Sequence, residues 1–339
     1  MSNIRAALAE LAEGRDLVPD LMRSAMTEIM GGEAEPAQIG GFLMALRVKG
    51  EKPAEIAAAA EVMRGFASRV DIDPAGLTDI VGTGGDGASL FNVSTASAFV
   101  AAAAGVRVAK HGNRAVSSKS GAADVLEAAG CRLDLSPAQV ATLIDELGVG
   151  FLFAPQHHAA MKHAIGPRKA LGLRTLFNLL GPLTNPALAP NQVLGVFSAE
   201  LVRPMAEVMQ ALGARHVLVV HSSDGLDEIS PAASTRVAEL KAGTIREYEI
   251  DPTSFGIKLD SLDGLSVADA AASLALIESA LGGQAGPAAD MIALNAGAAI
   301  YAGGKAESME QGVGLAREML SAGFGLDRLK RYALRTREL

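Results

Sequence analysis

The chain has 339 residues, 49% of them hydrophobic and 20% charged, which predicts a packed globular protein of about two domains and excludes a disordered chain. Aromatics are 4% with no Trp, the lone cysteine is Cys131, and the net charge is −8. A disulfide scaffold, a cysteine metal cluster and a global basic field for nucleic acid are thereby excluded, so any anionic ligand must be held by a local arrangement.

In chain order, Ile4 to Leu11, Leu17 to Ile29, Pro36 to Lys49 and Pro53 to Ala67 show apolar spacings of three and four and are predicted helices. Pro36 and Pro53 sit at expected first turns, and Gly31, Gly32 and Gly50 at expected stops. Short apolar runs then appear at Asp79 to Val81, Val106 to Ala109, Val193 to Phe197 and His216 to Val220. They alternate with predicted helices such as Ala96 to Ala104, Ala122 to Ala129, Pro137 to Leu147 and Pro204 to Leu212. The expected fold is α/β: a small all-helical domain followed by a larger domain with a mostly parallel central sheet. The longest apolar stretch, Ala96 to Val106, is too short to span a membrane. The N-terminus carries charge at Arg5 and then a polar-apolar pattern, so no signal peptide is read and a cytoplasmic protein is expected.

Four stretches carry chemistry. The first is the glycine-rich run Gly82 to Gly87 after a predicted strand, with Asn92-Val93-Ser94-Thr95 opening an Ala-rich helix. Glycines let backbone approach a ligand closely, and a helix start offers free N–H groups to phosphate. The spacing formally satisfies G-x-G-x-x-G, but no acid occurs between Asp86 and Asp124 to hold a ribose, and no Walker lysine follows. The second is Lys110 to Gly121: from Gly87 to Ala123 there are four cations (Arg107, Lys110, Arg114, Lys119) and no acid, which suits a ligand with several phosphates. The third is Asp227-Glu228 after the strand ending at Val220, a carboxylate pair suited to Mg²⁺ beside phosphates. The fourth runs from Gln156 to Pro186. Its histidines, His157, His158 and His163, lack a zinc-site spacing, while Arg168 and Arg174, six apart, leave room for one carboxylate clamp and one structural role.

In combination these stretches resemble the anthranilate phosphoribosyltransferase family of tryptophan biosynthesis. The motifs are GTGGD at Gly82 to Asp86, N-x-S-T at Asn92 to Thr95, KHGNR-x-x-S at Lys110 to Ser117, the pair Asp227-Glu228, GPR-x-x-LG-x-RT at Gly166 to Thr175, and GPLTNP at Gly181 to Pro186. The resemblance runs nearly end to end. It implies a nucleoside phosphorylase class II-like fold, with residues 1–70 and about 168–186 helical and 71–167 plus 187–339 forming the α/β domain. It also implies a homodimer joined through the helical domain, acting on small molecules and on neither nucleic acid nor membrane. The implied reaction joins anthranilate to 5-phosphoribosyl 1-pyrophosphate with Mg²⁺.

By the same resemblance the donor site comprises Gly82, Gly85, Asp86, Leu90, Asn92, Val93, Ser94, Thr95, the loop Lys110, His111, Gly112, Asn113, Arg114, Ala115, Val116, Ser117 and Ser118, and Ala122. Leu90 and Ala122 stand where many members carry hydroxyl residues, so contact at Ala122 is expected through the backbone. Anthranilate is expected at Gly82, Asn113, His158, Arg168, Gly181 and Pro182, with Arg168 on its carboxylate. The metal is expected on Ser94, Asp227 and Glu228. No dedicated acid or base is expected, because an aromatic amine already carries its lone pair. The nearest alternatives are a pyrimidine nucleoside phosphorylase-like enzyme, which needs no acid pair, and a non-catalytic paralogue binding nucleic acid, against which the net charge argues.

Overall fold

A computed structural model describes residues 2–339 apart from Asp86 and residues 116–118, so the sequence expectations for Asp86, Val116, Ser117 and Ser118 lie outside the described residues. The chain opens with four helices, α1 (Asn3–Ala12), α2 (Pro19–Gly31), α3 (Pro36–Lys49) and α4 (Pro53–Phe66). Proline begins α2, α3 and α4, where its missing N–H is no loss. Gly32 ends α2 in the left-handed region, φ 79°.

The α/β part follows as β1 (Leu77–Gly82), α5 (Val93–Ala103), β2 (Arg107–Gly112), α6 (Ala122–Ala128), α7 (Pro137–Leu147) and β3 (Val149–Phe153). Helices α8 (Ala154–His157), α9 (Lys162–Leu171) and α10 (Leu176–Leu180) then lead to β4 (Asn191–Gly195), α11 (Val202–Ala211) and β5 (His216–Ser222). The hairpin β6 (Thr235–Lys241) and β7 (Thr244–Ile250) precedes α12 (Ala270–Leu281), α13 (Pro287–Ala302), α14 (Met309–Ser321) and α15 (Phe324–Glu338).

The sheet has the order β3-β2-β1-β4-β5-β6-β7. The first five strands are parallel, and β6 and β7 extend the sheet antiparallel. The four predicted strands are present. The sequence reading missed β3, whose apolar run is broken by Gly150, and the hairpin, whose outer strand is charged at Arg246, Glu247 and Glu249. Gly150 is there because α7 lies directly on β3: a Cβ would stand 2.6 Å from Ile144 Cγ1. The hairpin turns through Ala242 and Gly243, both at positive φ.

The core divides by sheet face. Along β5, Leu218 and Val220 join α5, α7 and α13–α15, while Val217 and Val219 join α11 and the helical bundle. Helix α9 packs on α2 and α3, and α10 on α3 and α4, so a late segment of chain completes the bundle. Among the described residues no helix is long and apolar enough to cross a membrane.

Candidate active site

In the parallel order 3-2-1-4-5, successive strands run outward from β1 in one direction and from β4 in the other. Ligand crevices open at the carboxyl ends of strands at such a switch point. Gly82, Gly112, Gly195 and Ser222 end β1, β2, β4 and β5 there.

The glycine loop and the acid pair are locked together. Gly84 N–H donates to Asp227 Oδ2 at 2.7 Å, although the two are 143 residues apart. A Cβ on Gly82 would overlap Asp227 Oδ2 and stand 3.0 Å from its Cγ, and one on Gly195 would overlap the Asp227 carbonyl. The adjoining Ile229 is pinned from α13 by Asn295, whose amide bonds both the N–H (3.0 Å) and the carbonyl (2.9 Å) of that residue.

Lys110 is 4% exposed and its ammonium donates to the Ile80 carbonyl (2.6 Å) and Ser94 Oγ (3.1 Å). Burial lowers its pKa, while the charges of Asp79, Glu228 and Asp227 oppose that fall. The site thus sets one buried cation among three carboxylates beside the start of α5. Thr95 Oγ1, in that helix's first turn, is buried without a hydrogen-bond partner among the described residues. Among those residues no group of three or more His, Cys, Asp or Glu forms a metal cluster. Asp227 and Glu228 near a cation-lined phosphate cradle are nonetheless the donor set that suits Mg²⁺, which uses few carboxylates and completes its shell with water and substrate oxygens.

The second loop differs in detail from expectation. Arg114 faces acids: its guanidinium bonds Glu127 at 2.5 and 2.7 Å and Asp124 at 3.2 Å. The Ala115 N–H donates to Asp124 Oδ2 at 2.9 Å. Asn92 is a bracket: its Oδ1 accepts from Ser120 (2.7 Å) and Ser273 (2.8 Å), and its Nδ2 donates to the Ser120 carbonyl (3.0 Å). Both were expected among phosphate contacts, and here their side chains bond Ser120 and Ser273, and Glu127 and Asp124. Asn113 is exposed, and its Oδ1 accepts the Arg114 N–H at 2.8 Å. Val93 is buried, Leu90 packs on the core and bridges Ser266 through its backbone, and Ala122 begins α6 beneath Gly112.

On the acceptor side, His111 and His158 are buried with Nε2 atoms 3.2 Å apart. His111 Nδ1 lies 3.2 Å from the Gly181 carbonyl, which can only accept, so Nδ1 carries the proton of the neutral ring. Burial holds both neutral, His111 down to about 3 and His158 to about 4. Pro182 is buried, its carbonyl tied to Gln192 at 2.8 Å. Arg168 lies over the Phe177 ring at 5.1 Å, and no carboxylate pairs with it among the described residues. Burial lowers its pKa. Arg174 instead donates to the Gly85 carbonyl.

Sequence reasoning missed Asp79, whose carboxylate accepts from the His111 N–H (3.0 Å) and Asn185 Nδ2 (2.7 Å). Burial raises it to about 6. Its signal was an acid inside an otherwise apolar strand. Gly195 and Asn295 left no local signal.

A family model described as the α/β domain of a glycosyl transferase family matches residues 75–326, and that family's helical bundle domain matches residues 5–67. A relative from Cellvibrio japonicus named anthranilate phosphoribosyltransferase is 58% identical over 341 residues, covering 99% of each chain. The anthranilate phosphoribosyltransferase structure from Thermus thermophilus superposes with a TM-score of 0.93 at 46% identity, covering 99% of this chain and 100% of that one. The Saccharomyces cerevisiae enzyme in complex with PRPP and Mg gives 0.90 at 28%, covering 99% and 98%.

Proposed function

The chain belongs to the anthranilate phosphoribosyltransferase family, and we propose that the crevice at the ends of β1, β2, β4 and β5 is where it works. It transfers the phosphoribosyl group of 5-phosphoribosyl 1-pyrophosphate to the amine of anthranilate, giving N-(5-phosphoribosyl)anthranilate and pyrophosphate in tryptophan biosynthesis, with Mg²⁺. The observation that carries the siting is the Gly84–Asp227 bond, which joins a phosphate-cradling loop to the acid pair.

The amine needs no base to attack, so the residues' work is electrostatic and positional. Gly82, Gly85 and Asp86 cradle the donor, and the N–H groups opening α5 together with Ser94 and Thr95 receive pyrophosphate. Lys110 offsets the charge that grows on that leaving group. Lys110 to Ser118 wrap the donor's phosphates, and Asn92 and Arg114 are also tied to Ser120 and Glu127. Asp227, Glu228 and Ser94 would hold Mg²⁺, which when bound would supply charge neutralisation to the departing pyrophosphate. Arg168, over Phe177 and without an ion-pair partner among the described residues, clamps the anthranilate carboxylate, with Asn113, His158, Gly181 and Pro182 lining the acceptor's approach.

We divide the chain into a helical domain, 1–70 with a contribution from about 168–186, and an α/β domain. Packing of α9 and α10 on the bundle supports this and extends the contribution back to Lys162. A homodimer joined through the helical domain is part of the same proposal. The phosphorylated donor fits the cytoplasmic setting that we propose.

The test mixes purified protein with anthranilate, donor and Mg²⁺ and follows anthranilate fluorescence. Loss that requires all three components is expected. No loss with folded protein would overturn anthranilate as acceptor, and loss without Mg²⁺ would overturn the metal assignment.

A further inference from the structure

We propose that Arg174 is a positioning residue for the phosphoribosyl donor, fastening the glycine loop to the acceptor side of the crevice. This role rests on the reading of the site given above. Arg174 lies between α9 and α10, and its Nη2 donates to the Gly85 carbonyl. Its guanidinium sits 4.2 Å from the Phe197 ring centroid, just beyond β4, so a flat aromatic shelf fixes the plane of the fork. Gly85 is at φ +84°, and a Cβ there would stand 2.9 Å from Arg174 Nη2, so this approach is open to glycine.

The segment that carries Arg174 is itself clamped to the helical bundle. Arg47 of α3 donates to the Arg174 carbonyl. Nine residues further on, Arg64 of α4, largely buried, donates Nε to the Leu183 carbonyl at 2.7 Å. Residues 174–183 therefore form a bar held at both ends by arginines of the bundle, and the Arg174 side chain is its handle on the donor loop. The opposite side of that loop is held by Asp227 through Gly84. Two anchors, one from each side of the crevice, set where the loop's backbone meets the donor. Arg168, six residues earlier, has no such tie among the described residues and keeps its guanidinium for the acceptor.

The experiment measures donor binding with Mg²⁺ by calorimetry in the absence of anthranilate, then KM for both substrates, on the full chain and on Arg174→Ala, Arg174→Lys and Phe197→Leu. With one anchor gone, Arg174→Ala is expected to raise the donor Kd and KM about tenfold, as loss of one hydrogen bond from a charged donor warrants. The anthranilate KM at saturating donor stays within about twofold. Arg174→Lys, with one charged donor but no fork, is expected to fall between, and Phe197→Leu to move the donor constants in the same direction by less. These two conservative variants carry the test should Arg174→Ala not fold. Wild-type donor affinity in folded Arg174→Ala, or in both conservative variants, overturns the role. A rise confined to the anthranilate KM also overturns it, by making Arg174 an acceptor ligand. Wild-type protein that binds no donor sinks the proposed function together with this role.

Discussion

Gly195→Ala is the most demanding test of how the acid pair is positioned. A Cβ at residue 195 would overlap the Asp227 carbonyl oxygen and lie 2.6 Å from its carbonyl carbon and 3.2 Å from its Cβ. Ordinary carbon contacts are about 3.5–4.0 Å, so the 227–228 backbone must retreat by roughly 1 Å or more. That shift breaks the 2.7 Å bond from Gly84 N–H and moves both carboxylates off the donor. Overpacking of this kind costs about 1–3 kcal/mol of stability. A misplacement of about 1 Å costs on the order of 100-fold in rate. Gly82→Ala supplies the comparison, since its Cβ clashes with the Asp227 carboxyl group but stands at an ordinary 3.6 Å from the Asp227 carbonyl oxygen. Steady-state kcat/KM for the donor, a Mg²⁺ titration and thermal melts are the assay. Gly195→Ala is expected to lose about 100-fold in kcat/KM, to need more Mg²⁺ and to melt several degrees lower, and Gly82→Ala to lose activity with a smaller fall in Tm. Near-normal activity and Tm in Gly195→Ala would refute the reasoning.

Arg168→Ala should raise the anthranilate KM by about 10–100-fold, the worth of a charged hydrogen bond at about 1.5–3 kcal/mol, and leave the donor KM nearly unchanged; equal rises in both would remove the clamp. The buried histidines predict acid sensitivity. His111 at about 3 and His158 at about 4 lie below an unfolded value of about 6.5, so the folded state binds fewer protons and their contribution is complete above about pH 6.5 and lost as pH falls toward 4. Asp79, raised to about 6, acts in the opposite sense below pH 6, but it is common to wild type and variant. His158→Gln should therefore show a shallower decline of Tm between pH 6.5 and 4, and parallel profiles would contradict the neutral pair. In the bundle, Glu55 is 1% exposed and accepts from the N–H groups of Leu17 and Lys52 and from Lys49 Nζ at 2.8, 2.8 and 2.9 Å. Glu55→Ala should cost about 3 kcal/mol, the low end for a broken buried pair because Asp16 still faces Lys49, with kcat unchanged well below the melt; a Tm shift under about 2 °C would count against it.

Local order was legible in the residues themselves. Pro36 and Pro53 mark helix starts because proline's missing N–H is no loss in a first turn, and Gly82 to Gly85 mark a loop whose backbone must be approached closely. The stretches carrying Lys110, Arg168 and Asp227-Glu228 were found by residue type and spacing. What those side chains do was decided elsewhere in the chain. Arg114 was expected at the donor, and only the fold shows that α6 also brings Asp124 and Glu127 to it, while Arg174 could not be told from Arg168 until Gly85 and Phe197 stood beside it. The hairpin β6–β7 escaped because an edge strand carries charge where an inner strand carries Val and Leu. Gly195 gives no local sign of its importance, since its reason is a carbonyl 32 residues away. Periodicity and turn chemistry act over a few residues and are written in sequence. Burial, pKa and the pairing of a cation with one partner rather than another depend on groups that only folding brings within a few ångströms.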